Sequence, residues 1–189
     1  MFGSIKDYFD GRKSKRVEKA SKIITNAKAI KDDRWAALEF VAHDVENVEE
    51  AVPALLQRFE YSLEHGINDT REKELAMKGI VRFGEKAIPF VKDWLKTTTR
   101  IAWPIKVLNQ LGQESVVADC LKSALDYGEV AFTQHVVDKN YDILCYLRDF
   151  QLGSDVDKIA HFLNDADERV RYAAAEVLIA QNSDEMKPS

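Results

Sequence analysis

Phe83-Gly84, Leu111-Gly112 and Leu152-Gly153 each close a stretch in which apolar residues recur at i, i+3, i+4 and i+7. That recurrence is the period of a helix with one buried face. Glycine takes the left-handed conformation just past a helix end without a Cβ clash. Nearly the whole chain reads this way, and the stretches fall into pairs. The spacing predicts helices over 14–29 and 32–45, 48–64 and 70–83, 85–96 and 99–111, 113–126 and 136–151, and 154–163 and 167–180. Between the second two, Gly66 is expected to stop a helix, with Asp69 or Thr70 as the next N-cap. Pro53 and Pro89 stand 36 residues apart near the starts of first helices, where proline forfeits no intrahelical bond. Pro104 should start or kink the helix it sits in. With 8 glycines and 4 prolines in 189 residues, a turn-rich all-β fold is excluded.

Amphipathic helix pairs recurring at this interval predict an all-α, right-handed α-solenoid of about five pairs. The run Ile159-Ala160-His161-Phe162-Leu163-Asn164-Asp165-Ala166-Asp167-Glu168-Arg169-Val170-Arg171-Tyr172-Ala173-Ala174-Ala175-Glu176-Val177-Leu178 resembles the HEAT-repeat (armadillo-type) family. It has an apolar first helix, an Asp in the turn and a Val-Arg-x-x-Ala-Ala second helix. The resemblance implies that Asp165 and Arg171 form the pair that ties neighbouring repeats together. The array is expected over residues 14–181, behind an N-terminal amphipathic or capping segment at 1–13. In that segment Phe2, Ile5 and Phe9 share a helical face. Residues 182–189 read as a polar tail or the entry to a further repeat. The last helix is apolar almost all round, which suggests an oligomer contact or further repeats beyond it.

The net charge is −5, but residues 1–31 hold nine basic groups against three acidic ones. That segment is a solvated helix or one steered to phosphate or an anionic membrane. The overall sign disfavours a dedicated nucleic-acid binder. Two cysteines make no disulfide framework and fit a core role in a reducing compartment. No run is long and apolar enough to span a membrane, and the first residues lack the layout of a signal peptide. A cytoplasmic protein is expected.

The catalytic templates fail one by one. His43, His65, His135 and His161 show no zinc spacing. The His-Glu dipeptides of the HEAT-like iron hydroxylases are missing, as are nucleotide loops and a Gly-x-Ser-x-Gly elbow. No metal or cofactor is implied. What remains is the outward face of the second helices, expected to be concave. After burial of their core faces it keeps Lys78, Arg82, Trp103, Lys106, Tyr141, Arg148, Arg169 and Tyr172. Arg, Tyr and Trp are common interface anchors. Alternatively, Trp103 and Tyr141 pack between repeats and the cations pair with nearby carboxylates.

Two functions follow. One is a non-catalytic scaffold or adaptor that binds a protein or acidic peptide in its concave groove. The other is an enzyme resembling the HEAT-like alkylpurine DNA glycosylases, with Trp103, Tyr141, Arg148 and Asp142 or Asp149 as candidates. A likeness to the HEAT-like phycobilin lyases ranks below both.

Overall fold

The computed structural model describes the backbone of residues 3–112, 114–128 and 133–185, and side chains of these from 14 to 181. Among the described residues all regular structure is helical. In chain order it comprises α1 (Gly3–Ile24), α2 (Lys31–Asp44), α3 (Val48–Leu56), α4 (Gly66–Val81), α5 (Ile88–Thr97), α6 (Ala102–Leu111), α7 (Glu114–Lys122), α8 (Gln134–Leu147), α9 (Val156–Ala160) and α10 (Glu168–Glu185). Short 3-10 turns follow α3 and flank α9, and one precedes α5. The chain divides into two units, Met1–Val91 with Ala102–Leu111, and Lys92–Ile101 with Gly112–Ser189. The division falls inside α5.

In the first unit α1 packs on α2 and α3, and α4 packs on α2, α3 and α6. α1 and α2 each touch the next helix and the next but one. The core is built from the apolar faces read in the sequence: Ile24, Leu38, Val41, Leu55, Phe59, Ile80, Ile105 and Leu108 are all buried. The closest approach is at Gly79, where an added Cβ would lie 2.7 Å from Ala42 Cβ and 2.8 Å from Leu55 Cδ1. In the second unit α7 and α10 both pack on α8, and α9 packs on α10. Leu121, Ile143, Leu147, Ile159, Phe162, Val170 and Val177 are buried there.

Polar ties recur at nearly the same interval in both units. The Tyr61 hydroxyl donates to the Ile24 carbonyl at 2.5 Å, 37 residues away. Arg82 donates to the Val45 carbonyl. Lys139 Nζ donates to the Lys96 carbonyl at 2.9 Å across 43 residues. Gln181 accepts from the Leu152 N–H at 2.9 Å and donates to the Phe150 carbonyl at 2.8 Å.

A second set of ties closes the turn inside a helix pair. Arg34 Nη1 donates to the Ala29 carbonyl at 2.8 Å. Asn140 both donates to the Asp126 carbonyl and accepts from its N–H. Arg171 Nη1 donates to the carbonyls of Asp165 and Ala166 at 2.8 and 2.9 Å. Each satisfies turn backbone that would otherwise lose its water on packing.

Several expectations need correction. Gly66 begins α4 instead of stopping a helix, and Asp69 is no N-cap, because its carboxylate is taken by Arg58, Lys73 and the Leu63 N–H. Pro53 lies inside α3, past the first turn, so it forfeits the bond its N–H would make; Pro89 does occupy the first turn of α5. Pro104 starts α6, as its third residue. Gly84 and Gly153 adopt φ of 59° and 57°, which explains glycine at those two stops. The boundary at residue 13 falls within the continuous α1. The shared face of Phe2, Ile5 and Phe9 and the segment from 186 to 189 lie outside the described residues.

Candidate functional site

The sequence-derived candidates divide between the two units. In the first, Lys78 and Lys106 are exposed on α4 and α6. The Lys106 ammonium lies 4.3 Å from the centroid of the Trp103 ring, and Trp103 stacks on Phe59 at 5.9 Å and 16°. Trp103 is therefore half packing residue, half platform for a cation. Arg82 lies over Phe83 at 4.3 Å and 3.8 Å from the Glu46 carboxylate, in addition to its Val45 bond.

In the second unit the candidates converge on α8 and α10. Arg169, in the first turn of α10, donates to Asp138 on α8 at 2.9 Å and to Asp167 at 3.1 Å. It also stands 5.6 Å from the Tyr141 ring centroid. These two partners push the Arg169 guanidinium pKa up. The Asp138 carboxyl is held below its usual range by bonds from Gln134 and Arg169. Two turns along α8, Arg148 pairs with Asp149 at 3.4 Å and reaches Glu176 on α10 at 3.5 Å. Tyr141 contacts the Cys145 thiol, which raises its phenol pKa. Cys145 is half-buried on this face, whereas Cys120 is core. Tyr172, on α10 between Arg169 and Glu176, is 66% exposed. The face is thus braced by an arginine–carboxylate pair at each end, with tyrosines between them.

Asp165 and Arg171 meet differently from the expected side-chain pair. Arg171 takes the Asp165 main-chain carbonyl, while the Asp165 carboxylate accepts from the Asp167 N–H at 2.8 Å. Both bonds lie within one turn.

The strongest polar cluster is one that sequence reasoning missed. Glu72 is buried on α4. Its Oε1 accepts from Arg34 Nη2 at 2.9 Å, and its Oε2 accepts from Arg34 Nε and Arg58 Nε, both at 2.8 Å. Arg58, 0% exposed, also donates to Asp69 at 2.7 Å and to the Tyr61 carbonyl at 3.1 Å. Lys73 completes the set on Asp69 at 2.7 Å. Burial and these charges act oppositely on Asp69, and the Lys73 and Arg58 bonds leave its carboxyl below the usual range. The available signal was four charged residues at helix positions facing the core: Arg34, Arg58, Glu72 and Lys73.

Among the described residues no group of His, Cys, Asp and Glu is placed to hold a metal ion, and no helix is long and apolar enough to cross a membrane. Set against protein-family models, curated proteins and solved structures, the chain matches none of them.

Proposed function

We propose that the chain is a HEAT-like helical-repeat adaptor, a right-handed solenoid of about five pairs, that binds a protein partner through the α8–α10 face. The repeat reading is supported by polar ties that recur about one helix pair apart. It is also supported by the turn-closing Arg34 and Arg171, each near the start of a second helix, and by Asn140 in the middle of α8. The observation that carries the binding reading is the face itself. Arg148 and Arg169 are held by carboxylates from both helices, so the aromatic surface between them is preorganised, which lowers the ordering cost of binding. Around these two cations stand Asp138, Asp142, Asp149 and Glu176. That balance favours an apolar or basic protein segment over an acidic peptide or a nucleic-acid backbone, both of which need an excess of cations.

The test is crosslinking of the full chain in a lysate of its source cell beside a Tyr172→Glu, Arg148→Glu variant. One partner recovered with the wild type and lost with the variant, at unchanged melting temperature, supports the adaptor. Identical recoveries refute the face. Duplex-DNA binding that falls steeply with salt would instead favour the glycosylase-like alternative.

A further inference from the structure

The turn between α1 and α2 and the loop leading into α4 enclose a cleft of about 370 Å³ in the first unit. Lys28, Lys31, Arg34, His65 and Asn68 line it, with Glu64 as a carboxylate on the rim. Arg34 is the outer member of the buried network, in which Arg34, Arg58 and Lys73 face the carboxylates of Glu72 and Asp69. The network as a whole holds three cations against two carboxylates, but Arg34 at the floor is matched by Glu72, so the cleft's own positive charge comes from Lys28 and Lys31. Glu64, Asp32 and Asp33, the nearby carboxylates, are exposed and screened by water. The cleft also receives the starts of α2 and α4, and neither Ile30 nor His65 at their N-caps supplies a side-chain cap.

A third observation concerns the rim. Ile30 is 70% exposed and Ile67 80% exposed. Each adjoins a residue lining the cleft, Lys31 and Asn68. Large apolar side chains standing out of water beside a cationic cleft match a surface whose polar and apolar layers meet, as in a bilayer's headgroup region.

We propose that this cleft binds a phosphate group, with Lys28, Lys31 and His65 as its donors above the buried Arg34–Glu72 pair. The phosphate of an anionic phospholipid fits best, because Ile30 and Ile67 then enter the acyl boundary on either side. This use of the basic N-terminal segment is separate from the α8–α10 face and does not depend on it.

The test is co-sedimentation of the full chain with phosphatidylcholine vesicles with and without phosphatidic acid, beside titration with inorganic phosphate followed by amide NMR. Binding should require phosphatidic acid. It should fall by at least roughly 25-fold in Lys28→Glu, Lys31→Glu, since each lost surface cation costs about a factor of five and each new carboxylate adds repulsion. Ile30→Ser, Ile67→Ser should weaken vesicle binding and leave phosphate titration unchanged. Phosphate shifts at Lys31, His65 and Asn68 without vesicle binding would keep the anion site and assign it a soluble carrier. Two results overturn the proposal: no response to either probe, or an equal loss in Lys15→Glu, Lys19→Glu on exposed α1 positions. All substituted residues are exposed, so the fold is not at stake.

Discussion

Glu72→Gln is the most demanding test of the first unit. The side chain is 1% exposed and accepts three hydrogen bonds from two guanidiniums at 2.8–2.9 Å. Glutamine keeps the shape but removes the charge, and its amide N–H groups oppose the arginine donors. Arg58 and Lys73 would keep the Asp69 carboxylate, and Arg34 would be left with no carboxylate partner. Breaking one partner of a buried pair costs about 3–5 kcal/mol, because the remaining charge stays desolvated. For a chain of this size 1 kcal/mol moves the melting temperature by about 2–4 °C, so a fall of roughly 6–20 °C is expected. Thermal unfolding followed by circular dichroism measures it directly. Where the two units unfold separately, the loss belongs to the transition of the first. Asp93→Asn is the control: it breaks the exposed Lys96–Asp93 pair at 2.7 Å and should cost about 1 kcal/mol or less. Arg34→Met in the Glu72→Gln background should restore part of the loss by removing one stranded charge. A Glu72→Gln midpoint indistinguishable from that of Asp93→Asn would refute the claim that this network is an electrostatic unit.

Three further outcomes are expected. Gly79→Ala should destabilise by about 1–3 kcal/mol through overpacking against Ala42 and Leu55; urea midpoints read it, and a stabilisation near the ~1 kcal/mol helix gain of alanine would refute the close approach. Gln181→Leu strips partners from the Leu152 N–H and the Phe150 carbonyl, so it should cost about 1–3 kcal/mol and speed hydrogen exchange at Leu152, with unchanged exchange as the contrary result. Asp155 bonds Lys122 and Lys158, which hold its carboxyl at about 2 against an ordinary 3.8. The folded form therefore binds this proton less readily than the unfolded one. Its stabilisation is present above pH 3.8 and is lost as pH falls toward about 2. Asp155→Asn should flatten the acid limb of stability against pH, and an unchanged limb would count against it.

The helical class and the core faces were legible because burial follows period. Leu38, Ile80, Ile105, Ile143 and Val177 recur at helical spacing, and all are buried. Gly84 and Gly153 were legible because a positive φ excludes most other residues. Gly66 misled because the same residue suits both ends of a helix, and Asp69 resembled a cap while being held by Arg58 and Lys73. Of the outward set, Lys78, Arg82, Lys106, Arg148, Arg169 and Tyr172 are exposed, whereas Trp103 and Tyr141 are half-buried. The charge balance of the set was not legible, since Asp138 meets Arg169 and Glu176 meets Arg148 only once α8 and α10 lie side by side. The buried network was hidden for the same reason: Arg34 and Glu72 are 38 residues apart, and charged residues ordinarily mark a solvated face.

The polar ties between helix pairs and within their turns have a consequence for how this chain can change over generations. Tyr61, Arg82, Lys139, Arg171 and Gln181 all grip main-chain carbonyls. A carbonyl is supplied by whichever amino acid stands at Ile24, Val45, Lys96, Asp165 or Phe150. The donor is therefore under constraint while the acceptor's identity is free to drift, subject to its own packing. Each tie leaves only a one-sided mark: a lone polar residue holding steady opposite a position that varies. Two-sided co-variation, the usual trace of a contact, will be weak across these joints even where they are strongest.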